Sequence, residues 1–303
     1  MKEMLTNQIL TGLRDSDFTR LMPVLQPVSL SAGERLSEPG ETVRFIYFPE
    51  SSVLSCRAEM QDGKSAEVGM IGFEGMAGIT SVVGSLPDVH SLIVSVGGSA
   101  LRVSTDDFYR ETLRGDGIQQ SLLAYAGEYI TQISQRSACA VFHTIEQRLA
   151  VWLLLLVDRV KDEVIQITQE RIAEHLGVRR AGVTIAAAAM QDAGAISYRR
   201  GNLRVNDRQM VEAIACECYG SLAVGRRQTT SIKIFHKVRE GTDQTPPPSG
   251  KNIEGVSSFL QREGLNEKLW AVYEGTHSRG SRLDTFRDEE SGRAGGLPCS
   301  GSE

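Results

Sequence analysis

The chain has 303 residues, of which 41% are hydrophobic and 23% charged, with a formal net charge of −5; these values are ordinary for a soluble protein of two domains. The longest apolar run, residues 150–157, is far too short to cross a bilayer. The five cysteines are odd in number without a repeating spacing, and residues 1–10 lack a signal-peptide pattern, so we expect a reducing, cytoplasmic location without a disulfide framework.

The first hundred residues change from a helical to a strand pattern. Between residues 5 and 25, apolar side chains recur at three- and four-residue steps, which predicts short helices. From Pro27 to about Val103 the period becomes two, with Gly-containing turns between the apolar segments. The predicted strands are Val28–Leu30, Phe45–Phe48, Val53–Ala58, Glu67–Ile71, Leu92–Val96 and Ala100–Val103. Short strands at this spacing indicate an antiparallel sandwich or barrel, here a jelly roll.

A long helix is predicted after the strands. A helical pattern begins at Thr105–Arg114, and Gly117–Cys139 is predicted to form one continuous helix. Along it a set of residues alternates four- and three-residue steps, the heptad pattern of a coiled-coil seam. The seam consists of Ile118, Leu122, Tyr125, Tyr129, Gln132, Arg136 and Cys139. This pattern predicts a dimerisation helix, with packing of the helix against its own barrel as the alternative.

Residues 168–192 carry the signals of two helices joined by a tight turn. Thr168 is placed to cap the first helix and Gly177 to end it. The second helix is predicted from about Arg180 to Asp192, and an amphipathic helix at Thr144–Asp158 precedes both. On a helical wheel, four residues share the face expected to point toward a core: Val183, Ala186, Ala187 and Met190. The residues that it turns away from the core are Arg180, Ala181, Thr184, Ile185 and Ala188.

A basic hairpin follows these helices. Ile196–Arg199 and Leu203–Val205 are predicted strands around the pair Gly201-Asn202, and Met210–Cys218 is a predicted final helix. Residues 178–208 contain six arginines and two acidic residues, a local charge of +4 in an acidic chain. Such a layout is that of a winged helix-turn-helix, whose second helix enters the major groove of DNA. The plainer alternative is a small helical domain with a solvated basic face.

The predicted fold class is α+β, with four successive segments. Residues 1–115 are predicted to form a jelly-roll sensor domain, 116–140 a dimerisation helix, and 141–220 a winged helix-turn-helix domain. Residues 221–303 are rich in Pro, Ser, Gly and charge, so we expect a mostly disordered extension, because such a composition buries too little apolar surface.

In this order the segments resemble the Crp/Fnr superfamily of bacterial transcription regulators, over roughly residues 5–220. The similarity is carried by FPESSVLSCRAEMQDGKSAEVGMIGFEGMAG (48–78), IEQRLAVWLLLLVDR (145–159), TQERIAEHLGVRR (168–180) and GAISYRRGNLRVNDR (194–208). The resemblance implies a regulator that is not an enzyme and that binds double-stranded DNA as a homodimer on a palindromic operator. It also implies RNA polymerase as a partner.

The resemblance places a base- or phosphate-contacting arginine at Arg180. Ala181 and Ile185 replace the family's common Glu and second Arg, so we expect an operator different from that of the cyclic-AMP receptor. Arg179 stands where a side-chain oxygen normally caps a helix, which leaves amide donors free for a DNA phosphate. The predicted DNA-contacting residues are Thr168, Gln169, Arg179, Arg180, Ala181, Thr184, Ile185, Ala188, Arg199, Arg200 and Arg204.

The effector pocket departs from the family pattern. Cyclic-nucleotide-binding members use a Glu in a Gly-rich turn for the ribose and an Arg about ten residues later for the phosphate. Here Met76 takes the position of that Glu, and no Arg lies between Gly72 and Ser99. The residues assigned to this degenerate pocket are Glu74, Gly75, Met76 and His90. We therefore expect no dependence on cyclic AMP; a cyclic-nucleotide-activated regulator is the alternative.

No metal or cofactor is predicted. Residues 1–55 contain no cysteine, which excludes the N-terminal iron–sulfur cluster of the oxygen-sensing members. Cys216 and Cys218 form a C-x-C pair without ligands nearby in the sequence, so an inert buried pair is expected. A metal-dependent jelly-roll enzyme needs two or three histidines in the barrel, whereas residues 27–103 contain His90 alone. A lone loop histidine is more often structural than a haem ligand.

Overall fold

The computed structural model describes residues 2–84, 88–114, 116–160 and 164–223. These residues form a jelly roll, a long helix and a C-terminal domain in that order. The predicted extension lies outside the described residues from residue 224 onward. None of the described helices is long and apolar enough to cross a membrane.

The jelly roll is preceded by short helices α1 (Gln8–Gly12) and α2 (Asp15–Leu21), whose residues Leu10 and Leu21 are fully buried in one cluster with Phe48. The strands that the structure describes here are β1 (Gln26–Leu30), β2 (Arg35–Ser37), β3 (Phe45–Pro49), β4 (Val53–Glu59), β5 (Ser65–Ile71), β6 (Ser91–Val96) and β7 (Gly98–Ser104).

These strands pair into antiparallel sheets of order β1-β7-β3 and β2-β6-β4-β5, and helix α3 (Ile79–Val83) follows β5 in the chain. Each strand predicted from the period-two pattern is confirmed. The pattern does not reveal β2, because Leu36 is its single apolar residue and no alternation can develop over three positions.

The long helix packs its predicted seam against its own jelly roll. Helix α4 (Thr105–Arg114) leads into α5 (Asp116–Phe142), where Ile118 is 1% and Leu122 4% exposed. The side-chain oxygen of Gln132, also buried, accepts a hydrogen bond from the backbone N–H of Met70 on β5 at 3.3 Å. The heptad pattern thus marks a buried face, but that face meets the barrel. We correct the dimerisation assignment of Ile118, Leu122, Tyr125, Tyr129 and Gln132 accordingly.

The C-terminal domain is built around α6 (Ile145–Val157). Thr144 and Gln147 form a capping box at its start, and every residue from Leu149 to Leu156 is buried. The elements described after it are β8 (Val164–Gln166), α7 (Gln169–Leu176), α8 (Arg180–Asp192), β9 (Ile196–Arg199), β10 (Asn202–Val205), α9 (Arg208–Ile214) and α10 (Cys218–Leu222).

Two features of this domain differ from the sequence prediction. The predicted final helix, Met210–Cys218, is confirmed only as far as Ile214, where α9 ends; Ala215 is extended and α10 begins at Cys218. Strand β8, which no pattern predicts, pairs antiparallel with β10 and gives a sheet of order β8-β10-β9. Three residues are too few for a periodic signal.

A buried carboxylate joins the jelly roll to the helices behind it. Glu67 on β5 lies 2.8 Å from the Arg136 guanidinium on α5 and 2.9 Å from Nδ1 of His175 on α7. It also accepts a hydrogen bond from the Trp152 indole on α6 at 3.2 Å. Burial alone raises the pKa of Glu67, but the charges of Arg136 and His175 outweigh it and lower this pKa to about 2. Helices α5, α6 and α7 thus share one ionised group of the barrel.

Two further ion pairs fix the same contact. On β4, the Arg57 guanidinium lies 2.7 Å from Glu174 of α7, and the Arg57 side chain is 9% exposed. Arg159, which follows α6, lies 2.7 Å from Glu74 in the turn after β5. The Arg57–Glu174 pair therefore holds α7 against the jelly roll, and the Arg159–Glu74 pair holds the end of α6 there.

Candidate DNA-binding interface

Helix α7 begins and ends at the residues that the sequence predicts. The Thr168 hydroxyl accepts a hydrogen bond from the N–H of Arg171 at 3.2 Å, as a helix cap does. Gly177 has φ +63°, and a Cβ at this position would lie 2.9 Å from Cβ of Ala66 on β5. Both the left-handed backbone and the close contact therefore require glycine.

Helix α8 divides into the two faces expected from the helical wheel. Its core face, with no residue more than 5% exposed, consists of Val183, Ala186, Ala187 and Met190. Its outer face is exposed to solvent and consists of Arg180, Ala181, Thr184, Ile185 and Ala188. Ile185 is 73% exposed. An exposed apolar stripe beside arginine is suited to thymine methyl groups and phosphates.

The start of α8 leaves backbone amides without a side-chain cap. Arg179 is the N-cap residue and makes no capping hydrogen bond, as the sequence predicts. Free N–H groups at the positive end of a helix dipole, with a cation beside them, form a favourable environment for a phosphate.

Helices α7 and α8 are also connected by side chains of the predicted DNA-contacting set. The Thr184 hydroxyl donates to the side-chain oxygen of Gln169 at 2.8 Å. Arg180 lies 3.9 Å from Glu170, and both side chains are about two thirds exposed, at 67% and 64%. A pair so exposed is weak, so the Arg180 guanidinium can exchange the carboxylate for a phosphate or a base at little cost.

The hairpin places further arginines on the same domain. Its turn is Arg200-Gly201 and not Gly201-Asn202, because Asn202 pairs with Arg199 across the strands. Arg200 and Gly201 both have positive φ, +52° and +81°, as the tightest hairpin turns require. Arg199, Arg200 and Arg204 are exposed.

Arg208 does not belong to this basic surface. Its guanidinium lies 2.7 Å from Asp158 and 2.9 Å from Glu212, and it also contacts the Tyr219 hydroxyl. These partners raise the pKa of Arg208 further above its ordinary value, against the effect of burial. The arginine count from the sequence therefore overstates the charge offered to a ligand by one.

Glu74, assigned to the effector pocket, is an interdomain ion-pair residue. Its carboxylate accepts from Arg159 Nε at 2.7 Å and from the N–H of Gly72 at 3.2 Å. Arg159 is 4% exposed and also donates to the Leu155 carbonyl. The sequence does not reveal this partner, because Arg159 is 85 positions away in the chain.

Tyrosines of α5 fill the space beside the turn that carries Gly75 and Met76. The Tyr125 hydroxyl donates to the Met76 carbonyl at 2.9 Å, and a Cβ at Gly75 would lie 2.6 Å from that hydroxyl. Tyr129 stacks on Tyr125 with ring centroids 5.9 Å apart and closes against Gly69 in the same way. Met76 is fully buried. Tyr125 and Tyr129 thus occupy the space directly beside Gly75 and Gly69.

The other two chemical candidates differ in outcome. His90 Nδ1 lies 3.4 Å from Asp88, a loop pair that holds the histidine at the barrel surface. The expectation that Cys216 and Cys218 lack ligand partners is wrong: Cys139 of α5 and His143, which follows α5, lie beside them.

The described residues form a jelly roll, a connecting helix and a helix-turn-helix followed by a hairpin with exposed arginines. This is the architecture of a winged-helix DNA-binding protein. Residues 147–214 match the family model of the Crp-like helix-turn-helix domain. A search of curated protein sequences returned no significant match.

Solved structures share the fold across both domains. A candidate transcriptional regulator of the Crp/Fnr family from Eubacterium rectale superposes with a TM-score of 0.57 at 13% identity, covering 69% of this chain and 98% of its own. FixK2 from Bradyrhizobium japonicum gives a TM-score of 0.54 at 12% identity, covering 64% and 98%. CLP, a c-di-GMP responsive global regulator of Xanthomonas campestris, gives 0.53 at 14%, covering 63% and 99%. Residues 147–214 thus form a helix-turn-helix domain of the Crp-like type, and the solved structures show that the chain shares the fold of Crp/Fnr regulators.

Proposed function

We propose that the protein is a homodimeric regulator that reads a two-fold-symmetric operator without a cyclic nucleotide. The exposed face of α8, flanked by uncapped amides and by arginines of the hairpin, is the observation that carries the proposal. Its parts would be a jelly-roll domain at 1–115, a dimerisation helix at 116–140 and a DNA-binding domain at 141–220. A cytoplasmic location and contact with RNA polymerase belong to the same proposal.

A second heptad seam on α5 supports the dimer. It lies on the face of the helix away from the barrel, and its members are exposed: Leu123, Gly127, Ile130, Ser134, Ser137 and Val141. The spacing alternates four and three residues, so that a parallel second copy of the 27-residue helix can pack along it. Small residues at three of the six positions allow close approach of the two helices.

The composition of the α8 face suggests how the operator is read. Ala181 and Ile185 present methyl groups, which suit thymine, whereas Arg180 can contact guanine or a phosphate. The first experiment is selection of genomic fragments by the purified, effector-free full chain. A two-fold-symmetric motif is the expected result; salt-sensitive binding without any motif would contradict sequence-specific recognition by the chain alone.

Arg180→Ala and Arg199→Ala are expected to weaken DNA binding in different ways. If Arg180 reads a base, its loss costs about 1–3 kcal/mol on the operator and little on other DNA. If Arg199 contacts a phosphate, its loss weakens all DNA alike and lowers the salt slope by roughly one. Binding is measured on operator and scrambled duplexes at several salt concentrations.

The control for both variants is Arg110→Ala, which removes an exposed arginine of α4 on the jelly roll. This variant should bind DNA as the parent does. Equal losses on operator and scrambled DNA for Arg180→Ala would reassign that residue to phosphate contact.

Cyclic nucleotides are expected to produce no saturable binding heat. Tyr125 and Tyr129 fill the groove beside the Gly75–Met76 turn, and Arg159, the cation nearest to Glu74, is already paired. Calorimetric titration with cyclic AMP and cyclic GMP checks this, and c-di-GMP is added because the Xanthomonas campestris protein responds to it. Saturable binding in the micromolar range by any of the three would contradict nucleotide independence.

A further inference from the structure

Four potential metal ligands converge from two distant parts of the chain. Cys139 lies in the last turn of α5 and His143 directly follows that helix, whereas Cys216 precedes α10 and Cys218 is its first residue. One ligand atom from each residue, three Sγ atoms and an imidazole nitrogen, lies within 4.8 Å of every other. All three cysteines are buried, and the histidine is partly buried.

The spacing of these atoms fits a tetrahedral zinc ion. With Zn–S of about 2.3 Å and Zn–N of about 2.0–2.1 Å, a regular tetrahedron has edges of about 3.5–3.8 Å between ligand atoms. Sγ of Cys139 and Sγ of Cys216 are 3.6 Å apart, and Sγ of Cys218 and Nδ1 of His143 are also 3.6 Å apart. Two opposite edges of the tetrahedron, which together involve all four ligands, are therefore already at zinc-site length.

The groups around the cluster are those that support thiolate and imidazole ligands. The other ring nitrogen of His143, Nε2, lies 3.2 Å from the Glu217 carboxylate, the arrangement that orients a metal-bound histidine. The Gln135 side-chain amide donates to Sγ of Cys218 at 3.1 Å. A hydrogen bond of this kind stabilises a sulfur that carries negative charge.

We propose that Cys139, His143, Cys216 and Cys218 bind one Zn²⁺ in a closed Cys₃His site. Thiolate and imidazole together select zinc over the harder cations, and four protein ligands leave no position for substrate, so the site is structural. Each thiol releases its proton to solvent when its sulfur coordinates the ion. The bound ion would link the end of α5 to the start of α10. The link would close a loop of the chain that contains the whole helix-turn-helix.

Zinc analysis of the intact protein tests the proposal directly. The full chain is purified with reductant and without a polyhistidine tag. We expect inductively coupled plasma mass spectrometry to find about one zinc ion per chain. After chelation, cobalt(II) titration should give the thiolate-to-metal charge-transfer band and the strong visible bands of tetrahedral coordination. Zinc removal should also lower the melting temperature, and zinc addition should restore it.

Variants assign the signal to the four residues. Cys218→Ser and His143→Ala should lose the tetrahedral cobalt spectrum, and Glu217→Gln should weaken zinc affinity by roughly 10–100-fold. Cys56→Ala, which removes a buried cysteine of the barrel outside the cluster, should bind metal as the parent does. Circular dichroism establishes that each variant is folded.

The parent chain decides the matter even if a variant fails to fold. Absence of zinc together with absence of a cobalt–thiolate spectrum would overturn the proposal. A Cys139–Cys216 disulfide in protein purified without reductant, with no metal bound after reduction, would overturn it as well and identify the 3.6 Å sulfur contact as a redox pair.

Discussion

Leu123→Glu is expected to convert the protein to monomers and to weaken operator binding by roughly 10²–10⁴-fold. The leucine is 58% exposed on the second seam of α5, where a symmetric helix pair would place it against its own copy. Two buried glutamates at such a contact repel each other and lose their hydration. Operator affinity falls because two half-sites bound by one dimer gain from a high effective concentration that separate monomers lack. Light scattering and operator titration measure the two effects.

Leu113→Glu is the matched control for this change. It makes the same substitution at a leucine that is 70% exposed on α4, away from the seam. This variant should remain dimeric and bind the operator normally. A dimeric Leu123→Glu protein would mean that the second copy binds another surface, and the seam assignment would be wrong.

Glu67→Gln is expected to lower the free energy of unfolding by roughly 3–5 kcal/mol. The substitution keeps the shape of the side chain but removes the charge that faces Arg136 and His175 in the interior. A buried cation without its partner carries a large desolvation cost. Urea denaturation measures the change. Glu59→Gln on β4, a carboxylate 32% exposed and paired with Arg35, should cost no more than about 1 kcal/mol.

The Glu67 carboxylate is also expected to make the free energy of unfolding depend on pH in the acid range. The pKa of Glu67 is about 2 in the folded chain and 4.5 for the free group, so its ion pair with Arg136 stabilises the fold in full above pH 4.5. That contribution declines as the pH falls from there toward 2. The decline in unfolding free energy over this range should be smaller in Glu67→Gln. Parallel pH curves for the parent and the variant would contradict the role given to Glu67.

Local sequence signals were sufficient for the helix-turn-helix. A capping hydroxyl at Thr168, a left-handed glycine at Gly177 and a helical apolar period act over a few residues, and the structure confirms each one. The strands of the jelly roll were equally accessible, because alternation and glycine turns are local properties.

Contacts between distant segments were not accessible in the same way. The heptad of α5 predicts a buried face. The sequence around Leu122 does not show whether that face packs against a second copy or against its own barrel. The pairing of Glu74 with Arg159 and the approach of Cys139 to Cys216 each span more than seventy residues. Such pairs depend on how the two domains pack, which no periodicity records.

The tyrosines that close the groove beside Gly75 have a consequence for how such a protein receives information. Tyr125 and Tyr129 belong to the same chain as the turn that they contact, so they lie beside it in every folded molecule. Under the proposed nucleotide independence, this part of the jelly roll would not report the level of a small metabolite. A regulator of that kind would respond to changes in its own abundance.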